Sequence, residues 1–163
     1  MDDVQDAPAG VSRAAELERL YREQGDRMWR SILGYGGDPE IASHVVAEAF
    51  AQALRRGSAV RDPERWLWRA AFRIAAGELK ARGRRAPMLT EGVYVMEEPA
   101  VELVAALAKL PATQRAAVVL HHAADYPVKE IAAIIGSTPA AVKVHLMRGR
   151  ERLRRLLKEP DDA

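Results

Sequence analysis

An all-α fold, two small helical domains joined by an acidic linker, is what this sequence predicts, and three observations predict it. Apolar residues recur at three- and four-residue spacing along most of the 163 residues, and no stretch of useful length alternates apolar and polar as a strand would. Helix-start signals repeat, with Asp38-Pro39-Glu40 and Asp62-Pro63-Glu64 each placing a capping acid, a proline at the first helical position and an acid in the first turn. Charge is segregated: residues 61–85 hold eight bases against three acids, residues 143–158 hold seven against one, and residues 86–102 hold four acids and no base. Two basic poles around an acidic segment suit two contacts with a polyanion.

Taken in order, the first 12 residues read as an acidic tail. A helix is predicted over 12–33, where Leu17, Leu20, Tyr21, Met28, Ile32 and Leu33 share a face, and the Gly34-Tyr35-Gly36-Gly37 run ends it. The second helix starts at Pro39 and stops at Gly57; the third starts at Pro63 and runs to about Arg82. Residues 86–99, with two prolines, a glycine and scattered acids, have no helical period and read as linker. Four shorter helices follow near 100–109, 113–123, 128–135 and 139–158, punctuated by Pro111, Pro127, Gly136 and Pro139. The expected organisation is therefore a tail at 1–12, a first domain at 13–85, a linker at 86–101 and a second domain at 102–159. Each domain has few residues from which to build a core, so docking on a larger partner is expected to help both.

Composition excludes several classes of function. The chain has no cysteine, which removes disulfides and thiolate metal sites and makes a reducing cytoplasm the expected location. The opening MDDVQDAPAG lacks the apolar core of a secretory signal, and no apolar run approaches the ~18 residues of a membrane span. No enzyme chemistry is indicated. His121 and His122 are adjacent, so on a helix they diverge by roughly 100° and cannot share one metal from one face. The glycines at 34–37 follow a helix and lack the Gly-Lys-Ser/Thr of a phosphate loop. No metal and no cofactor are expected.

The segment 128–146 fits a helix-turn-helix template. Ala132 is the small residue where the two helices approach, Gly136 supplies the turn and Val142 is the branched residue in the second helix, with Thr138 to cap and Pro139 to start it. Wound at about 100° per residue, Val142, Leu146, Gly149, Leu153, Leu156 and Leu157 fall in one sector. Lys143, Val144, Met147, Arg148, Arg150, Arg154 and Arg155 face away from it, the first four placed as a recognition helix offers residues to the major groove, the later arginines suited to phosphates. On the third helix, Leu67, Trp68, Ala71, Phe72, Ile74, Ala75 and Leu79 form the apolar sector. Arg65, Arg69, Arg73 and Lys80 line the opposite arc with Trp66 at its edge, a combination that suits unpaired DNA because cations follow phosphates and a ring stacks on a base. The second helix is apolar around much of its circumference (Ile41, Val45, Val46, Ala49, Phe50, Leu54), enough for a core face and a protein-binding face.

Together, LYREQGDRMWRSILGYGGDPEIASHVVAEAFAQAL and RWLWRAAFRIAAGELKARGRR resemble region 2 of a bacterial RNA polymerase sigma factor of the extracytoplasmic-function (ECF) type. LAKLPATQRAAVVLHHAADYPVKEIAAIIGSTPAAVKVHLMRGRERLRRL resembles region 4. The resemblance covers roughly residues 17–157 and includes the order region 2, acidic linker, region 4. It implies a factor that binds core RNA polymerase and directs promoter-specific initiation. Region 2 would bind the clamp of the largest subunit and melt the −10 element; region 4 would bind the flap of the second-largest subunit and read the −35 element. By that resemblance Ile41, His44, Val45, Glu48 and Gln52 would contact polymerase. Arg61, Arg65, Trp66, Arg69, Arg73, Lys80 and Arg84 would contact −10 DNA. Ser137, Thr138, Ala140, Lys143, Val144, His145, Met147 and Arg148 would contact −35 DNA. An anti-sigma factor is a further possible partner. The chain departs from the family pattern at three places. His44-Val-Val-Ala-Glu48 stands where Asp-Leu-Val-Gln-Glu is usual, Arg73 and Gly77 where asparagine and aspartate are usual, and Val144-His145 where Ser-Arg is common. Two alternatives stand beside this reading: a LuxR-type helix-turn-helix regulator, which Val142-Lys-Val-His145 also fits, and a degenerate sigma-like protein acting through protein contacts.

Overall fold

The computed structural model describes residues 9–82 and 98–158 of the chain. Among these residues every regular element is helical: α1 (Ala9–Gly36), α2 (Pro39–Arg56), a 3₁₀ turn (Gly57–Ala59), α3 (Pro63–Arg82), α4 (Glu98–Ala108), α5 (Ala112–His122), α6 (Val128–Ile135) and α7 (Pro139–Lys158). The all-α expectation is met, and the bounds of α2, α6 and α7 are those the punctuation predicts. The expected linker falls largely outside the described residues.

The caps explain the boundaries. The Asp38 carboxylate accepts from the Glu40 and Ile41 amides at 2.8 and 3.3 Å, filling two donors that a helix start leaves open. Asp62 does the same for the Arg65 amide at 3.3 Å. α1 differs from expectation: it continues through Gly34, Tyr35 and Gly36 and ends only at Gly37, which has φ 72°. Tyr35 is the reason, because its ring is buried against Phe72 at 5.4 Å and helical backbone is what carries it there. One member of the predicted α1 stripe is also misplaced. Tyr21 is 57 % exposed, touching Phe50 edge-on at 5.3 Å instead of entering the core.

α1, α2 and α3 make the N-terminal bundle. Met28, Ile32, Ala42, Val45, Ala49, Leu67, Ala71 and Ala75 close its centre, with alanines letting the helices approach. α4 to α7 make the C-terminal unit around Leu120, Ile131 and Val142. The two units are in contact, and their buried residues form one continuous cluster. The C-terminal end of α1 lies against α4 and α5 as well as α2 and α3. Gly34 sits at that crossing, where the site of its absent Cβ is 3.5 Å from Leu107 Cδ1 and 3.7 Å from Val119 Cγ2. Trp68 of α3 meets Tyr126 of the α5–α6 loop edge-on at 6.2 Å. Burial pushes the Tyr126 phenol well above its ordinary range, so it stays neutral.

α7 packs closely on α5 at Gly149. A Cβ there would stand 2.8 Å from Val118 Cγ2. Gly149→Ala is therefore expected to destabilise the chain by about 1–3 kcal/mol in urea unfolding. Val118→Ala in the same chain should recover part of that loss, as a double-mutant cycle measures.

Candidate nucleic-acid interface

The helix-turn-helix is built by local chemistry. α6 ends on Gly136 at φ 68°, ψ 43°, the left-handed region that glycine enters without a Cβ penalty, and the Gly136 and Ser137 amides both return to the Ala132 carbonyl. Thr138 Oγ1 accepts from the Ala141 amide at 3.1 Å, and Pro139 opens α7. Ala132, Val142 and Leu146 are buried between the two helices, as the template requires. This fixes the rotation of α7 and turns Lys143, Val144, Met147 and Arg148 outward: all four are exposed, Val144 at 38 % and Met147 at 59 %. Thr138 and Ala140 are exposed, while Ser137 and His145 are half-buried at the flank. Six of the eight positions are therefore exposed on the turn and the first three turns of α7, with Ser137 and His145 at their flank.

Further along α7 the expectation needs a correction. Arg150 does not face away; it is half-buried, and its Nε donates to His122 Nε2 at 2.9 Å. The cause is α5, which packs on this side of α7 and brings His122 within reach. His122 is held below its ordinary pKa by burial, then by the positive charge of Arg150 and by His121. His121 Nδ1 lies 3.2 Å from the Tyr126 carbonyl oxygen, so the two histidines serve different partners. Arg154 borders an open apolar groove of about 410 Å³ floored by Leu103, Leu107, Val119, Leu153 and Leu157.

The basic residues of α3 and of the turn before it split in two. Arg61, Arg73 and Lys80 are exposed and have no ion-pair partner among the described residues. Arg65 and Arg69 instead converge on Glu130 of α6, at 3.2 and 2.6 Å. The hydrogen bond from Arg69 is the main reason the Glu130 carboxyl is held below the usual carboxylate range. Trp66 is half-buried with the Arg56 guanidinium 5.6 Å over its ring. Arg84 lies outside the described residues.

The α2 set needs a second correction. Ile41 and Val45 are buried, at 3 and 0 %, because the helix turns them toward α1 and α3, so their side chains are not available to a partner. His44, Glu48 and Gln52 remain on the outer surface. His44 Nε2 is 3.5 Å from Glu78 of α3, and Glu48 accepts from Gln52 at 2.9 Å and Arg55 at 3.1 Å. Those contacts, the Gln52 hydrogen bond first, lower the Glu48 pKa. Leu54 is 54 % exposed on the same helix.

Sequence reasoning did not single out Arg27, Glu130 or Asp125. Arg27 Nε donates to the Ala123 carbonyl at 2.7 Å and its Nη2 to Asp125 at 2.8 Å. Asp125 has φ 56°, a conformation aspartate tolerates. Glu130 reads in sequence as an ordinary first-turn acid, and Arg27 as a solvated α1 charge; the contacts join residues 61 and 98 positions apart.

Comparison with known proteins bears on both halves. Residues 100–153 match the family model for sigma-70, region 4. The chain is 28 % identical to the ECF RNA polymerase sigma factor SigE of Mycolicibacterium smegmatis over 93 % of its length, and 29 % identical to ECF RNA polymerase sigma factor BldN of Streptomyces coelicolor over all of it. It spans about two thirds of those relatives, 65 and 67 %. In fold it is similar to CnrH, solved with the cytosolic domain of CnrY (TM-score 0.71, 23 % identity, 95 % of this chain and 94 % of that one). It is also similar to the sigma factor RpoE of Bartonella quintana, solved with the anti-sigma factor NepR (TM-score 0.70, 21 % identity, 90 and 99 %). Among the described residues, no helix is long and apolar enough to cross a membrane.

The His122–Arg150 contact has a pH signature. A histidine whose folded pKa lies below its ordinary 6.5 is protonated first in the unfolded chain, so its contribution is complete above 6.5 and declines as pH falls toward the folded value. His122→Gln is expected to lose less stability than the parent between about pH 7.5 and 5.5, measured by thermal unfolding at each pH.

Proposed function

We propose that this chain is an ECF-type member of the sigma-70 family, that it binds core RNA polymerase and that it directs initiation at its own promoter class. The observation that carries the reading is the exposed edge of the helix-turn-helix, where Lys143, Val144, Met147 and Arg148 stand clear on a helix whose other face is locked into the core. That edge has the shape of a major-groove reader, and the −35 element is its proposed target. Lys143 and Arg148 supply the positive charge. Val144 and Met147 offer apolar contact suited to thymine methyl groups, so the base preference differs from that of a factor with Ser-Arg at 144–145.

α3 is the proposed −10 surface. Arg61, Arg73 and Lys80 track phosphates of the opened strand, and Trp66 presents a partly covered ring for stacking. Polymerase contact is assigned to His44, Glu48, Gln52 and the exposed Leu54 on α2, with the α4–α5–α7 groove as the apolar seat for the flap. Promoter specificity in this scheme comes from two weak DNA surfaces held at a fixed spacing by polymerase, so neither surface needs high affinity of its own.

Two measurements test the scheme. Reconstituted with core RNA polymerase, the chain is expected to yield run-off transcripts from promoters found by genome-wide mapping. Tight core binding with no transcript would favour a protein that acts through protein contacts alone, and promoter binding by the free chain without core binding would favour a stand-alone regulator. Within the holoenzyme, Arg148→Ala is expected to weaken promoter-complex formation about 5- to 100-fold and to reduce its salt slope by about one. Arg73→Ala should weaken binding of a short single-stranded oligonucleotide carrying the −10 sequence and lower that slope in the same way. Unchanged affinity and slope in either variant would remove that side chain from the interface.

A further inference from the structure

The open groove between α4, α5 and α7 is chemically one-sided. Its walls are hydrocarbon: Leu103 and Leu107 from α4, Val119 from α5, and Leu153 and Leu157 from α7. Leu103 and Leu157 are 41 and 44 % exposed, so the groove leaves apolar surface in water that the fold itself does not cover. The polar side chains on its rim are His122, Arg150 and Arg154, and no carboxylate lines it among the described residues. At about 410 Å³ it lies toward the small end of the clefts that hold small molecules.

The two arginines are set to act together. They stand four residues apart on α7, neighbours on one side of the helix. Arg150 is aimed by α5: its Nε donates to His122 Nε2 at 2.9 Å, and its two terminal nitrogens have no partner among the described residues. Burial, then the Arg150 charge, hold His122 below its ordinary pKa, so at neutral pH it is an uncharged acceptor that orients the guanidinium and does not compete for an anion. Arg154 is exposed and makes no ion pair among the described residues. A pair of unneutralised guanidinium forks at the mouth of a hydrocarbon trough is complementary to a carboxylate head on an alkyl chain.

We propose that this groove is a ligand site for a single-chain alkyl carboxylate, with Arg150 and Arg154 holding the head and the leucines of α4 and α7 covering the chain. A cleft of this size with one compact basic rim takes one chain and one head, so the occupant is a free molecule and not a bilayer. The consequence rests on the assignment of the same groove to the polymerase flap. A bound carboxylate covers that apolar seat, so ligand and core enzyme compete for the chain and each lowers the affinity of the other by the same factor.

The test uses the full chain and sodium dodecanoate below its micelle concentration. Titration calorimetry gives the affinity, and leucine methyl shifts in NMR locate the site. Dodecanoate is expected to bind one to one and to move the methyl signals of Leu103, Leu153 and Leu157. Dodecyltrimethylammonium, with the same chain and the opposite charge, is expected to bind about tenfold more weakly or worse. Arg154→Glu should weaken dodecanoate about 10- to 100-fold, the range of a lost charge-assisted contact, and Leu157→Asp about tenfold. Both positions are exposed, so circular dichroism and thermal melting of the two variants should match the parent. At about ten times its Kd, dodecanoate should weaken capture of the chain by core RNA polymerase about tenfold. No binding of dodecanoate, equal binding of the two amphiphiles, or an unchanged affinity in Arg154→Glu overturns the site. In that case, loss of core binding in Leu157→Asp leaves the flap assignment standing by itself. Dodecanoate that moves the groove methyls and depends on Arg154, with core capture unaffected, keeps the ligand site and removes the flap from the groove.

Discussion

Everything in this molecule is arranged about the C-terminal half of α1, which has to serve two sets of helices at once. Met28, Ile32 and Leu33 are buried against α2 and α3, while Gly34 admits Leu107 and Val119 from the other side. Helices as short as α4, α5 and α6, with 11, 11 and 8 residues, are marginal without a packing surface. α1 is that surface. Its extension beyond Leu33, through a Gly-Tyr-Gly stretch that would end most helices, makes sense only in this light. Tyr35 reaches Phe72 on one side, and the Arg115 guanidinium of α5 lies 5.4 Å over its ring on the other. A residue that bridges two units is worth two glycines in a helix, each costing about 1 kcal/mol relative to alanine.

What the sequence revealed and what it hid follow one physical division. Features set by neighbours within four or five residues were legible: the Asp-Pro-Glu starts of α2 and α3, the left-handed Gly136, the Thr138 cap and the sector that buries Val142 and Leu146. Those contacts are closed by the chain's own local geometry, so spacing is enough to read them. Features set by distant elements were not legible. Ile41 and Val45 look like surface candidates on a helix apolar nearly all round; only the positions of α1 and α3 decide which side is covered. Arg150 belongs by angle to the outer face of α7, yet α5 reaches far enough around to bring His122 to it. Glu130 carries no sequence signal, because an acid in a first turn is explained by the helix dipole with nothing left over.

The charge pattern illustrates the same division on a larger scale. Counting residues shows two basic segments of comparable strength, but the structure makes them unequal. On α7 the outward Lys143 and Arg148 keep their charge unpaired among the described residues. On α3 two of the four basic residues placed opposite its core face are neutralised by an acid from the other unit. A formal count overstates the field of the second surface and describes the first fairly, so the two proposed DNA contacts differ in availability before any partner is present.

The strength of the contact between units follows from what lies at it. Its apolar part is the stronger, since burial of aromatic and branched side chains costs about 25 cal/mol per Å² to reverse. A purely ionic contact would be worth little in water, because exposed pairs return ~0–1 kcal/mol each. The Trp68–Tyr126 contact gives it a modest apolar anchor, and the ion pairs of Arg27 with Asp125 and of Arg65 and Arg69 with Glu130 give it direction and a dependence on ionic surroundings. The arginines at the α4–α5–α7 groove stand in a different position. Where an arginine meets a carboxylate of its own chain, its charge is engaged in holding the fold; Arg150 and Arg154 meet none among the described residues, and their charge is left for a molecule from outside.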